Sequence, residues 1–191
     1  MKNFFRILIF VVVLGSVSSG LLVAVNSYTA PRIARNEELR LKAAALDALD
    51  IPYTNEGLEK VFKEKVEIIK KGDLSFYCAS DKAVAFEFHG PGLWGPISGI
   101  VSLERDLITI RRVRILHQEE TPGLGARIAA DEFLSQFKGK VLEPILVFVT
   151  KGKAKAKNEV DAITGATGSS KAFEKLLNES IKEKTALFNK G

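Results

Sequence analysis

The sequence predicts an α+β fold, in which helices flank an antiparallel sheet and one transmembrane helix precedes the folded domain. Three observations lead to this prediction. A long uncharged apolar run lies near the N-terminus, short strand-like runs are grouped in the middle of the chain, and an amphipathic helical pattern ends it. Because strands and helices occur in separate blocks, an antiparallel sheet fits better than alternating βαβ units.

The apolar run extends from Ile7 to Val25. At 1.5 Å per residue it is about 28 Å long, close to the hydrocarbon thickness of a bilayer. A cleaved signal peptide is the alternative, since Lys2 and Arg6 precede the run and serines and glycines interrupt it. We favour an uncleaved anchor because the apolar residues continue past those serines and glycines. Either interpretation exports the rest of the chain.

Domain organisation follows from the 191-residue length. The prediction is an anchor at residues 1–27 and one domain at residues 28–191, long enough for a single core and too short for two enzyme domains. Basic residues on both sides of the run leave its orientation undecided.

The first elements of the domain are helices. Charged and Leu/Ala residues predict a helix from Ala34 to Leu49, which Pro52 ends, and a shorter one over Glu56–Lys65. Five strands follow, at Val66–Ile69, Leu74–Cys78, Ala83–Phe88, Ile97–Leu103 and Leu107–Leu116. In the fifth, the adjacent Arg111 and Arg112 interrupt the alternation of apolar residues, which predicts a β-bulge.

The C-terminal part is predicted to contain two helices and a strand. An apolar stripe indicates a helix over Ala126–Phe137. A short apolar run indicates a strand over Ile145–Val149, and an amphipathic pattern indicates a last helix over Gly168–Leu187. The lysine-rich segment Lys151–Lys157 is predicted to be a solvated loop.

Composition argues against several classes of function. The formal net charge of +5 lies partly in the N-terminal residues and the lysine-rich loop, which is not the pattern of a nucleic-acid surface. Cys78 is the only cysteine and is predicted to lie in the core, so no intramolecular disulfide or multi-cysteine metal site is expected. The glycine-rich segments lack the complete P-loop and dinucleotide patterns, and no hydrolase nucleophile motif occurs.

The segment Asp161–Ser170 combines two glycines with several hydroxyl residues immediately before the last helix. Unpaired N–H groups and the helix dipole favour an anion at such a position. The alternative is that Thr167 or Ser169 only caps the helix.

Asp161, followed by Thr164, Gly165, Ala166 and Thr167, resembles the flavinylation motif of the FMN-binding domain family. In that family the last threonine carries FMN through a phosphoester, so the resemblance implies covalent FMN on Thr167. Asp161 would brace the turn, cap the helix or be recognised by the modifying enzyme. Family members include the C subunit of the Na⁺-translocating NADH:quinone oxidoreductase (Na⁺-NQR) and the G subunit of the Rnf complex.

A second segment of the chain carries the same resemblance. Residues 120–125 read Glu-Thr-Pro-Gly-Leu-Gly, as in those subunits, and imply a turn near the flavin ring formed by Glu120, Thr121, Gly123, Leu124 and Gly125. A purely structural turn is the alternative. Leu93, Trp94 and Lys151 also match the family. The first two would pack against the flavin, and a tryptophan buried in the core is the alternative for Trp94. Lys151 would place positive charge near the flavin, and a solvated lysine is the alternative.

The resemblance implies a membrane-anchored electron carrier without catalytic or metal-binding residues of its own. It would lie in the cytoplasmic membrane with its domain outside, pair with other subunits of an ion-translocating redox complex, and need a flavin transferase for maturation. A stand-alone extracytoplasmic carrier and a cofactor-free membrane-anchored binding module are the alternatives.

Overall fold

The computed structural model describes residues 2–189, so the outermost residues of the two predicted domain ranges lie outside the described part of the chain. Two compact units are present, residues 1–40 and residues 41–191. The boundary after residue 27 stays a prediction.

Helix α1 runs without a break from Lys2 to Ala48. It contains both the predicted span and most of the predicted helix over Ala34–Leu49, which is therefore no separate element. In the described part of the chain it is the one helix long and apolar enough to cross a membrane, a test that a signal sequence also passes. Helix α2 follows at Leu58–Lys65.

The central sheet is an antiparallel meander in which each strand pairs with the next along the chain. All five predicted strands are confirmed, with ends that shift by up to three residues. They are β1 (Val66–Lys71), β2 (Leu74–Ala79), β3 (Val84–Pro91), β4 (Pro96–Leu103) and β5 (Ile110–Gln118). Short turns can join such neighbours, so no crossover helix is needed.

The predicted bulge is confirmed between β4 and β5. Ser102 pairs with Arg112 while the next residue, Leu103, pairs with Ile110, so Arg111 is the extra residue. A bulge bends its strand and redirects a side chain. Here it frees the Arg111 side chain from the regular alternation.

The segment after β5 differs from the single predicted helix over Ala126–Phe137. It contains a 3₁₀ turn (Gly125–Ala129), a short helix α3 (Asp131–Leu134) and a second 3₁₀ turn. The prediction was wrong because Ala130 is extended, with φ −73° and ψ 138°, and stops the first turn.

The remaining elements are two short strands and the last helix. Strand β6 (Val147–Val149) pairs in parallel with β7 (Glu159–Asp161), a three-residue strand that the sequence did not indicate. Helix α4 runs from Thr167 to Asn189 and confirms the predicted last helix.

The main core lies between one face of the sheet and α4. Phenylalanine rings dominate it, with Phe137 and Phe173 5.9 Å apart between ring centroids. The other face carries Tyr77, whose ring meets Phe62 of α2 at 5.9 Å. Cys78 is half-buried and packs against the edge of the core, so it lies less deeply than predicted.

Candidate functional site

The first turn of α4 has no side-chain cap. The Ser170 N–H donates to the carbonyl of Ala166 at 2.9 Å, which makes Ala166 the residue at the N-cap position, and its methyl side chain accepts no hydrogen bond. In residues 2–189 no acceptor is recorded for the N–H groups of Thr167, Gly168 and Ser169. These three donors and the helix dipole together favour an anion at this point.

The capping alternative for the hydroxyl residues is wrong. Ser169 is buried and its Oγ donates to Glu120 Oε2 at 2.6 Å. Ser170 Oγ accepts from the Ile163 N–H at 3.1 Å. Thr167 is exposed at the surface. The structure therefore distinguishes two buried, hydrogen-bonded serines from the exposed Thr167.

A tight turn presents this threonine. The Ala166 N–H donates to the Ile163 carbonyl at 3.0 Å, and Gly165 has φ +81°. A positive φ at the third residue of a turn is the position that type II turns reserve for glycine. Thr164, the second residue of the turn, is exposed like Thr167.

Asp161 braces the lysine-rich loop and does not cap α4. Its Oδ1 accepts from the Lys153 and Ala154 N–H groups at 3.1 and 3.0 Å. The Ala154 N–H, with those of Gly152 and Lys153, holds the pKa of Asp161 below its ordinary value. The backbone of Asp161 is fixed separately, because its N–H donates to Gln136 Oε1 at 3.0 Å. No pattern in the sequence indicates this role of Gln136.

The Glu120 side chain links three segments that are distant in sequence: residues 93–94, its own turn at residues 120–125, and the first turn of α4. Its side chain is buried, and its Oε1 accepts from the Leu93 and Trp94 N–H groups at 2.6 and 3.2 Å. Its Oε2 accepts from Ser169. Both oxygens therefore already accept hydrogen bonds inside the protein.

Several glycines allow these segments to pack closely. A Cβ on Gly92 would lie 2.7 Å from the Gly95 carbonyl oxygen, and one on Gly168 would lie 2.7 Å from Leu93 Cδ2. A Cβ on Gly125 would lie 2.8 Å from Glu120 Oε2. The contact with a backbone oxygen requires glycine at position 92, and the buried Glu120 side chain leaves little room for a Cβ at position 125, whereas the half-exposed Leu93 side chain could move away from a Cβ at position 168. Gly123 differs, because it has φ +75° and open space around it.

An apolar surface borders the accessible threonine. Leu93, Trp94 and Leu124 are 51%, 73% and 46% exposed. Leu93 reaches Gly168, and Leu124 Cδ2 would lie 3.5 Å from a Cβ on Gly165. Trp94 is therefore not a core residue, which removes that alternative. We call Leu93, Trp94 and Leu124 the apolar rim.

Two cavities flank the segment that leads to Thr167. One, of about 280 Å³, is lined by Lys151, Thr164, Thr167 and Lys171 among others. The other, of about 260 Å³, includes Arg127, Gln136 and Asp161 in its lining. Lys151 borders both cavities, in keeping with a cation near the site. Lys171 was not singled out from the sequence, although it directly follows the motif; it pairs with Glu174 at 3.1 Å.

Comparison with known proteins finds one domain model and several similar subunits of redox enzymes. Residues 92–182 match the family model of the FMN-binding domain. The chain is 31% identical to the C subunit of the Na(+)-translocating NADH-quinone reductase of Vibrio vulnificus over 137 residues, which cover 69% of this chain and 49% of that protein. It is 28% identical to the G subunit of the proton-translocating ferredoxin:NAD(+) oxidoreductase complex of Clostridium ljungdahlii over 172 residues, 87% of this chain and 84% of that protein.

A solved structure shares the fold. The crystal structure of the C subunit of the Na(+)-translocating NADH-quinone reductase from Parabacteroides distasonis superposes with a TM-score of 0.70 and 26% identity, covering 81% of this chain and 94% of that one. In the sequence comparison, however, the match covers 34% of the C subunit of Pasteurella multocida and 49% of that of Vibrio vulnificus. The chain therefore spans half of the length of these relatives or less.

Proposed function

We propose, from the FMN-binding domain that residues 92–182 match, that this chain is a membrane-anchored flavoprotein with one covalent FMN on Thr167. It carries electrons within an ion-translocating redox complex and has no substrate site of its own. The observation that carries the proposal is the exposed Thr167 hydroxyl at the uncapped N-terminus of α4.

Attachment requires one bond to form and one to break. Thr167 Oγ1 bonds to the phosphorus of the flavin phosphate and loses its proton. The bond from that phosphorus to the leaving group of the donor flavin nucleotide breaks in the same exchange. We assign this reaction to a separate flavin transferase, to which the exposed turn at Thr164, Gly165 and Ala166 is accessible.

The residues present fit the phosphate end of FMN. A phosphate joined to Thr167 lies beside the N–H groups of the first turn of α4, which have no acceptor among the described residues. Gly165, with its φ of +81°, forms the turn that leads into Thr167. Lys151 borders the adjoining cavity and places positive charge nearby.

The ring end of FMN has an apolar surface to rest on. We assign this contact to the apolar rim, with Thr121 and the backbone of Gly123 as polar groups beside it. When bound, FMN supplies the electron-transfer chemistry. The protein holds the group, orients it and limits the access of water. In this proposal, Glu120, Gly125 and Asp161 hold the segments around the site in position and do not contact the cofactor.

Helix α1 and the relatives from membrane complexes support membrane anchoring. We place the domain on the extracytoplasmic side of the cytoplasmic membrane. Its partners are then the other subunits of a redox complex of the kind that the relatives' names describe. A stand-alone carrier would have the same site but no such subunits, and co-purification from native membranes separates the two possibilities.

The test of the proposal is the attachment itself. Full-length protein made together with a flavin transferase is expected to carry one FMN mass and to fluoresce on a denaturing gel. Thr167→Ala is expected to abolish both signals, because the attacking hydroxyl is gone. Ser169→Ala is the matched control and keeps the flavin. Flavin on denatured Thr167→Ala protein would contradict the assignment, and protein without any flavin would support the cofactor-free alternative.

A further inference from the structure

We infer that the buried Glu120 carboxylate is a positioning group that fixes the β3–β4 hairpin tip, residues 92–95, against the first turn of α4. It thereby fixes the backbone of Leu93 and Trp94 at the hairpin tip before any cofactor is attached. The inference rests on the proposed function only where it concerns a bound flavin; the positioning itself is a property of the chain alone.

The hydrogen bonds of the Glu120 carboxylate link the β3–β4 hairpin tip to helix α4, and we call this link the bracket. One carboxylate oxygen accepts from two consecutive N–H groups of the hairpin tip, at 2.6 and 3.2 Å, and the other accepts from Ser169 of α4 at 2.6 Å. Bonds to an ionised carboxylate are shorter and stronger than bonds between neutral groups. Glu120 is 4% exposed, so water does not compete with these N–H and O–H donors for the carboxylate oxygens.

The bracket is itself held in place. The Glu120 N–H donates to Gln118 Oε1 at 2.7 Å, which fixes the backbone from which the carboxylate extends. On the far side, the Gly92 N–H donates to the Gly95 carbonyl at 2.8 Å and closes the tip. The carboxylate therefore connects two segments that each have a hydrogen bond of their own.

Burial of side chains contributes little to holding the tip. Leu93 and Trp94 are more than half exposed, so neither is anchored in the core. Beyond the strand pairing of β3 with β4, the N–H groups of these two residues link them to the rest of the described chain through hydrogen bonds to Glu120. Without that carboxylate, two amides would lose their acceptor. The tip would gain freedom on the ns–μs timescale of loop motions, and the exposed Trp94 side chain would gain freedom on the ps–ns timescale of rotamer flips.

The experiment uses Trp94, which is the only tryptophan of the chain. Full-length protein in detergent, in a Thr167→Ala background that excludes covalent flavin, is examined by time-resolved fluorescence anisotropy. Glu120→Ala is expected to raise the amplitude of the fast local decay of Trp94. Glu120→Gln keeps an acceptor oxygen for the hairpin and is expected to restore the wild-type decay in large part.

The matched control is Glu67→Ala, which removes an exposed carboxylate from β1, a strand that pairs with neither β3 nor β4. It is expected to leave the Trp94 decay unchanged. Ser169→Ala breaks only the arm to α4, so it remains informative if Glu120→Ala does not fold. An unchanged fast amplitude in both Glu120→Ala and Ser169→Ala would overturn the inference.

A second measurement separates this inference from the proposed function. With Thr167 intact and a flavin transferase present, Glu120→Ala is expected to keep its flavin but to lose part of the quenching of Trp94 emission by that flavin. Absence of flavin from the wild type would contradict the proposed function and leave the anisotropy test in force. Full quenching in flavinylated Glu120→Ala would contradict the positioning role.

Discussion

The roles of the hydroxyl and carboxyl residues at this site depend on which of their side-chain oxygen atoms already take part in hydrogen bonds. Thr167, Ser169 and Ser170 are close in sequence, yet Ser169 and Ser170 are buried and engaged, while Thr167 is exposed. Glu120 is likewise engaged through both oxygens. The chemistry available to each residue thus follows from its neighbours in space.

Gly123 permits a prediction at this scale, because its φ of +75° strains any residue with a Cβ while the space around it is open. Gly123→Ala is expected to cost about 1–2 kcal/mol of stability and to shift the flavin absorption spectrum and midpoint potential. Gly72→Ala is the matched control, since Gly72 has φ +61° and the same open surroundings. Equal spectra and potentials in the two variants would make the turn structural only. Flavin content by mass spectrometry is expected to stay unchanged in both.

At the scale of elements, the bulge in β5 connects the sheet to the end of α1. Arg111 donates to both Glu104 oxygens at 3.0 and 2.6 Å, to Asp81 at 2.7 Å and to the Leu49 carbonyl at 3.1 Å. Ser102 Oγ donates to the Ala48 carbonyl. Two carbonyls at the end of α1 are thus satisfied by side chains from the sheet, which a C-terminal helix end requires.

Arg111→Ala is expected to lower the free energy of unfolding by about 1–3 kcal/mol, because Glu104 and Asp81 lose their partner and a helix carbonyl loses its donor. Arg111→Lys restores only part of this, since an ammonium group cannot reproduce the forked geometry. Arg112→Ala, which removes a single ion pair with Asp50, is the control and is expected to cost less. Urea unfolding of the full-length protein in detergent, followed by circular dichroism, measures the differences. Equal losses for Arg111 and Arg112 would contradict the prediction.

The same cluster predicts a pH dependence. The hydrogen bond from Arg111 lowers the pKa of Asp81 below its ordinary value of 3.8. A group whose pKa is lower in the folded state contributes stability above its unfolded pKa and loses it as pH falls through the folded pKa. The stability difference between wild type and Asp81→Asn is therefore expected to be constant near neutral pH and to shrink below pH 3.8. A difference that grows on acidification would show the opposite sign of coupling.

At the scale of the whole molecule, helix α1 is long and apolar enough to cross a membrane, and the chain continues into a folded unit that begins at residue 41. The proposed function needs that domain to be outside the cytoplasm and to stay attached to the membrane. Both requirements concern the cell and can be tested without any knowledge of the redox partners.

Alkaline phosphatase fused to the C-terminus is expected to be active in cells, since it folds only after export. Fractionation is expected to keep the fusion in the membrane pellet after a carbonate wash. An inactive reporter would reverse the orientation. A mature N-terminus close to Asn26 would show that the apolar run is a cleaved signal peptide.

The sequence alone predicted the antiparallel sheet, the last helix, the bulge at Arg111 and the candidate threonine. These features depend on local patterns: alternation along strands, helical spacing, and a motif contained within ten residues. The break at Ala130 and the short strand β7 were missed because the segments involved are too short for a periodic signal.

Only the tertiary structure decided which polar groups are free. Glu120 lies 49 residues from Ser169 in sequence, and Gln136 lies 25 residues from Asp161, yet each pair is joined by hydrogen bonds. No local pattern encodes such pairs, because they form only when the β3–β4 hairpin, the segment after β5 and the first turn of α4 converge. The sequence thus supplied Thr167 as a candidate, while folding determined that Thr167 is exposed and that the two serines after it are buried.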